Sequence, residues 1–532
     1  MSTTLLTGGH VYSAQDPFAT AMLVVDGTIA WLGDDGGALP YADDADHRVD
    51  LRGALVCPGF VDAHVHLTSW GLTLGGLDLS RATSHGHCLA LIEQAAASTT
   101  GVLLGHGWDE TTWPEGRAPT REEIDSRVGD RAVYLTRVDV HSALASTALT
   151  ALAPQARTLD GWSHTGPIAR AAHHAVRDVA LASVTREQRQ VAQRTALASA
   201  AANGVVSVHE NAGPTISSAQ DLEEVLALGR DPRMPEVVGY WGALGGHEEA
   251  VDLGARGAAG DLFADGSLGS HTACLCAPYA DEPSSTGATY LTAEQIAEHV
   301  IGAARTGTQA GFHVIGDGAT GTVVEGFRVA ESVLGRDAIR RGRHRLEHLE
   351  MPDADQWRAL ADLGVVASVQ PAFDAAWGGD SGMYARRLGV DRARRMNPFS
   401  AMLGDGVVLA FGSDAPVTAI DPWGAVRAAA RHTNTEHAIS VRAAFAAHTR
   451  GGRRAARDEA TQPGVLAVGA PATYAVWAPG PLAVQAPDGR VSAWSTDPRS
   501  GVPPLPDLDA QAPACWQTVR DGNVIFDAGE WG

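Results

Sequence analysis

The stretch PGFVDAHVHLTSWG, Pro58 to Gly71, sets two histidines one residue apart at the end of an apolar run. Read as a strand over Val61 to Leu67, its side chains alternate. Asp62, His64 and His66 then share one face, while Val61, Ala63, Val65 and Leu67 share the other. One face suits a core and the other carries groups able to hold an ion, because neutral imidazole is the commonest protein ligand for zinc and related metals. Two imidazoles are too few for a site, so the rest of the chain must supply the remainder.

Working outward, a rhythm recurs in which a helix ends at glycine, an apolar strand follows, and polar residues stand where the strand stops. Thr185 caps a predicted helix to Asn203, Gly204 ends it, and Val205 to Val208 is a strand followed by His209 and Glu210. Thr292 with Gln295 forms a capping box for a helix to about Arg305, Gly307 breaks it, and the next strand delivers His313. Asp353 to Leu363, Gly364 and VVASV lead to Gln370; a short helix near Ser400 and VVLAF lead to Ser413 and Asp414. Helices alternating with Val-rich strands imply parallel βα units, and polar residues at many strand ends favour a (βα) barrel of the TIM type over an open doubly wound sheet.

The two ends read differently. Residues 1–57 are short strands with an Asp26-Gly27 hairpin turn, and ATYAVW (Ala472 to Trp477) with VRDGNVI (Val519 to Ile525) repeat that character near the C-terminus. The expected organisation is α/β. Residues 1–57 and 461–532 form a small β-domain and residues 58–460 a barrel. Residues 76–165, which fit the rhythm poorly, form an insertion that could roof a pocket. Residues 479–515, rich in proline and polar side chains, are expected to be a surface excursion.

Composition narrows the function. The 532 residues, 45% hydrophobic and 19% charged, can bury a large core, and the formal net charge of −22 argues against nucleic acid or anionic membrane as partner. A small-molecule substrate is the default, with a homodimer possible. Five cysteines without a CxxC pair, and no basic-then-apolar leader, point to a reduced cytoplasmic protein. All 40 basic residues are arginine, so a phosphate-loop lysine, a Schiff-base lysine and a carbamylated bridging lysine are impossible.

At strand ends the chain offers His313 in GFHVIGD, His348 in RHRLEHLE and Asp414 in FGSDAPV. Converging with His64 and His66 at one barrel mouth, these make a hydrolytic metal site with a position open for water. His344 shares the strand face of His348 and is its competitor. A serine hydrolase fits poorly: GGDSGM at Gly378 to Met383 follows a βα unit, and no GxSxG elbow occurs. A dinucleotide-binding GxGxxG is lacking where a first strand meets a helix. A non-catalytic binding protein on the same barrel is the remaining alternative.

PGFVDAHVHL, GFHVIGD, RLEHLE and FGSDAPV, in that order, resemble the metal-dependent amidohydrolase superfamily. GWDETTWPEGRAPTR, LFADGSLGSHTACL, SVQP (Ser368 to Pro371) and LAVGAPATYAVW are similar to its amidohydrolase-3 branch, which includes YtcJ-like and N-substituted formamide deformylase-like proteins. The resemblance implies a (βα)8 barrel with a β-sandwich built from both termini. It implies metal ligands His64 and His66 on the first strand, His313 on the fifth, His348 on the sixth and Asp414 on the eighth. Asp414 would accept a proton from water and pass it to the leaving nitrogen, with His348 as a second catalytic group. The cofactor is a divalent metal, zinc first, with iron or manganese as alternatives. Related sequences read VKLFADG where this one has GDLFADG, so Asp261 stands in place of a bridging lysine. One metal is the leading expectation, and a second, bridged by Asp261, Glu210 or a cysteine, stays open. Asp265, His141 and Trp108, with Trp113 and Arg117, are candidate pocket or supporting residues. The implied reaction is hydrolysis of a non-peptide C–N bond, amide or formamide-like. Deamination of an amidine-like ring is the runner-up.

Overall fold

A computed structural model describes residues 2–99, 101–458, 462–483, 502–509 and 511–530. The quoted stretch becomes strand β1, Phe60–Val65, buried at every position. Seven further strands join it: β2 Val205–Ala212, β3 Glu236–Trp241, β4 Gly257–Ala258, β5 Gln309–Val314, β6 Arg345–His348, β7 Val366–Val369 and β8 Val408–Phe411. Every neighbouring pair is parallel, in chain order. At the mouth the sheet closes on itself: Val65 bridges Ala415. There Asp414 N–H donates to His64 O at 2.7 Å, and His66 N–H donates to Ala415 O at 2.9 Å. Closure excludes the open sheet, and the architecture is the (βα)8 barrel expected from strand-end chemistry.

The local signals explain where the surrounding helices start and stop. Thr185, Thr292 and Asp353 each cap a helix through a reciprocal capping box with Gln188, Gln295 and Gln356. Gly307 ends its helix in the left-handed region at φ 72°. One boundary differs from expectation. Strand β2 continues through His209 and Glu210 to Ala212 instead of stopping at Val208, because parallel pairing with β3 persists as far as Trp241.

The chain ends build two further sheets, the first from the N-terminal segment alone and the second from both ends. One has the order Thr28–Gly33, Ala21–Val25, Thr3–Thr7, His47–Asp50; the other has His10–Val11, Leu55–Pro58, Tyr474–Trp477, Cys515–Arg520, Asn523–Asp527. They enclose a shared core that includes Leu6, Met22, Val24, Val56, Val476 and Val519. The predicted Asp-Gly turns both form, with Asp26 and Asp521 at φ 47° and 50°. About half of the expected excursion over 479–515 lies outside the described residues; within the rest, Leu482–Ala483 pairs with Leu505–Pro506.

Between β1 and β2 the chain leaves the barrel and builds a five-stranded sheet from Leu77–Asp78 to Ile168–Ala169. It has its own core around Leu79, Ile92, Trp108, Ile124 and Leu135. Among the described residues no helix is long and apolar enough to cross a membrane.

Candidate metal centre

Each polar group at the barrel mouth is delivered by a local feature of its strand. On β1, alternation turns Asp62, His64 and His66 the same way; Asp62 accepts Ser413 N–H at 2.8 Å and so ties the end of β8 beside them. On β5 the same parity puts Gln309 low in the barrel and His313 at its mouth. Strand β6 breaks the rule. Arg345 and Glu347 face inward, which would turn His348 outward with His344, whose ring lies against Phe327 of helix Asp317–Leu334. His348 instead adopts φ 71°, and Asp414 adopts φ 54°. These left-handed conformations, uncommon for side-chain-bearing residues, swing both groups back over the mouth. Asp261 follows Gly260, whose φ is 82° and where an added Cβ would lie 2.5 Å from Asn211 Oδ1. Only glycine lets the chain turn there.

The delivered groups converge. Asp261 reaches all four imidazoles: Oδ1 lies 3.5 Å from His64 Nε2, 3.5 Å from His313 Nδ1 and 3.7 Å from His348 Nε2, and Oδ2 lies 3.1 Å from His66 Nε2. Asp414 Oδ1 lies 3.2 Å from His66 Nε2 and 3.5 Å from His64 Nε2. Two overlapping triads of ligand atoms result, His64–His66–Asp414 and His64–Asp261–His348. His64 Nε2, His313 Nδ1, His348 Nε2 and Asp261 Oδ1 are buried without a hydrogen-bond partner. Four orphaned polar atoms facing one point are costly unless something binds them.

The opposite side of three of the rings is held, whereas His66 Nδ1 is buried without a hydrogen-bond partner. His64 Nδ1 meets Glu347 Oε2 at 2.9 Å, His348 Nδ1 meets Gln370 Oε1 at 2.8 Å, and His313 Nε2 meets Gly266 O at 3.4 Å. Acceptors behind the ring fix the tautomer and aim the free nitrogen inward, as metal-binding histidines require. Burial opposes charge on His64, but Asp261 and Asp414 outweigh it and hold the imidazole well above its usual value. Burial would raise Asp261, yet His64 and its neighbouring rings hold that carboxyl well below its usual value. The field at this point favours positive charge, and the donor set of imidazoles and carboxylates fits a divalent cation.

A family model described as the amidohydrolase family matches residues 48–526. The chain belongs to the amidohydrolase family. It is thereby a hydrolase of the metal-dependent class that acts on carbon–nitrogen bonds. Among curated relatives, the protein LONG AFTER FAR-RED 3 of Arabidopsis thaliana is 27% identical over 80% of this chain and 77% of its own. The YtcJ protein of Bacillus subtilis is 26% identical over 78% of this chain and 81% of its own. N-substituted formamide deformylase of Arthrobacter pascens is 23% identical over the same shares, 78% and 81%. A solved metal-dependent hydrolase of Pyrococcus furiosus aligns with a TM-score of 0.69 at 26% identity, covering 89% of this chain and 98% of that one.

In this amidohydrolase the other predicted residues separate. His141 lines the cavity above the cluster, its ring 5.2 Å from that of His313. Asp265 orients a loop: its carboxylate accepts N–H groups from Cys274, Ile315 and Gly316 at 2.8–2.9 Å. Glu210 accepts Leu67 N–H at 2.7 Å, where helix Leu67–Gly75 begins, and belongs to neither triad. The cysteines also lie outside both triads. Trp108 and Trp113 do not line the pocket. They are buried in the insertion's core, their indole N–H groups donating to Leu135 O and Ala82 O. Arg117 is exposed and paired with Glu123. Sequence reasoning missed Glu347 and placed Gln370 at a strand end without giving it a role. For Glu347 the signal was present in RLEHLE, but simple alternation places it opposite His348.

Proposed function

We propose that this amidohydrolase cleaves a non-peptide C–N bond, amide or formamide-like, in a small molecule by adding water to an sp² carbon at the barrel mouth. The observation that carries this reading is the set of orphaned imidazole and carboxylate atoms facing one another beside an apolar-walled cavity. His64, His66 and Asp414 would hold a cation, zinc by the donor chemistry, with Asp261, His313 and His348 adjoining it. When bound, such an ion supplies Lewis acidity, polarising a carbonyl and acidifying water toward about neutral pH. Asp414 takes up the proton of the attacking water and returns it to the departing nitrogen. His348, its Nδ1 fixed by Gln370, donates from Nε2 to the oxygen on which charge develops when it is the imidazolium, the form that Asp261 and Asp414 favour against burial.

A second arrangement has its own support. Asp261 lies within 3.7 Å of all four imidazoles, so its carboxylate would be available to help them hold a second cation. Elemental analysis of purified protein separates the two. About one equivalent of divalent metal, lost in His64→Ala/His66→Ala, is expected for a single ion, and about two for a pair. Protein that takes up no zinc would defeat the hydrolase reading. Asp414→Asn is expected to remain folded and lose turnover by about 10²–10⁴-fold; undiminished turnover would remove Asp414 from its role.

A further inference from the structure

The cavity above the metal centre is shared by the cluster and by helix Arg170–Ala182, which follows the insertion's last strand. Its wall is largely apolar, with Leu72, Leu104, Leu181, Ile216 and Phe263. Into the same cavity comes Arg177. Its Nε and Nη2 are buried without a hydrogen-bond partner, and no carboxylate among the described residues pairs with it. The next residue, Asp178, lines a neighbouring cleft instead, as successive positions on a helix must. Beside Arg177, the half-buried His174 is kept uncharged by burial, its pKa lowered to about 4.

An unpaired guanidinium against an apolar wall is costly, and arginine in such places is commonly matched by a planar anion that accepts two parallel N–H bonds. Among the described residues Asp178, Tyr134, His173 and His174 feel its charge, but none accepts a hydrogen bond from Nε or Nη2. The whole chain carries a formal charge of −22 and does not attract anions at long range, so a preference for an acid over its neutral carboxamide would have to come from a local cation such as Arg177.

We propose that Arg177 binds a carboxylate carried by the substrate, making the substrate class small amides with an apolar or aryl body and a free acid group. This rests on the hydrolase reading for the word substrate, but its test does not need turnover. Matched pairs, N-benzoylglycine with N-benzoylglycinamide and N-acetylphenylalanine with its carboxamide, are titrated calorimetrically into the protein stripped of metal and into the protein reloaded with zinc, each with and without Arg177→Gln. The acid of at least one pair is expected to bind about 10–100-fold tighter than its carboxamide. Arg177→Gln should erase that preference while leaving carboxamide binding unchanged, and Arg177→Lys should keep part of it. Carboxamide binding by the variants reports that the cavity is intact. Acids that bind no better than carboxamides, acids that do not bind, or a preference that survives Arg177→Gln and so arises at the metal would each overturn the proposal. If acids bind through Arg177 but the wild-type protein hydrolyses nothing, the anion site stands and the hydrolase reading falls.

Discussion

Glu347 makes two contacts that serve different ends: its Oε2 meets His64 Nδ1 at 2.9 Å, and its carboxylate pairs with the fully buried Arg345. The first aims a proposed ligand and the second balances a buried charge. Glu347→Gln keeps the shape and removes the charge, so both should fail together. Metal retention against a chelator is expected to weaken about 10–100-fold, and denaturant unfolding to show a loss of about 3–5 kcal/mol as Arg345 loses its counter-charge. Unchanged metal affinity would mean that His64 is oriented by its strand alone. The His64 and His66 pair was legible in the sequence because it obeys the two-residue period of a strand. Glu347 was not, because His348 leaves that period at φ 71°. A departure from backbone regularity has no signature in residue type when the residue is not glycine.

Among elements, the helix that leaves β1 shows how closely the layers approach. Helix Leu67–Gly75 crosses helix Arg186–Ala202 at Gly71, where an added Cβ would sit 1.9 Å from the carbonyl oxygen of Ala192. That oxygen is backbone and cannot rotate away. Gly71→Ala is therefore expected to push the helices apart and cost about 1–3 kcal/mol in denaturant unfolding, despite alanine's better helix propensity. A neutral or stabilising outcome would show that the two helices tolerate separation. Helix starts such as Thr185 and Thr292 were readable because capping chemistry is local. The insertion was legible in part: Leu77, Leu104, His106, Tyr134 and His141 line the cavity as a roof would, but its strands pair with one another and bury Trp108 and Trp113 in a core of their own, so the tryptophans that suggested a pocket wall do not form it. What holds it to the barrel is equally non-local. Arg137 pairs with Asp109, Glu110 and Asp139, and Asp139 accepts Ser267 and Ser270 hydroxyls from the loop after β4.

For the whole molecule, hydrophobic rhythm and strand-end polarity sufficed to anticipate a barrel, and paired Asp-Gly turns hinted that the two ends share a domain. The contact between that domain and the barrel was invisible, since it joins residues hundreds of positions apart. Trp477, in the strand Tyr474–Trp477, is 3% exposed, with ring centroids 5.8 Å from Phe60 on β1 and 5.6 Å from Trp423. The same strand lies between Leu55–Pro58 and Cys515–Arg520. The C-terminal strands thus complete the sandwich and also seal the barrel beneath β1. A chain ending at Gly469 would leave Leu55–Pro58 as an unpaired edge and uncover the apolar face formed by Leu6, Met22, Val24 and Val56, a surface prone to association. Such a truncation is expected to aggregate or lose its near-ultraviolet circular dichroism, and to release metal, because β1 carries His64 and His66. A soluble, cooperatively unfolding barrel that still binds zinc would show instead that the metal centre is built by the barrel alone.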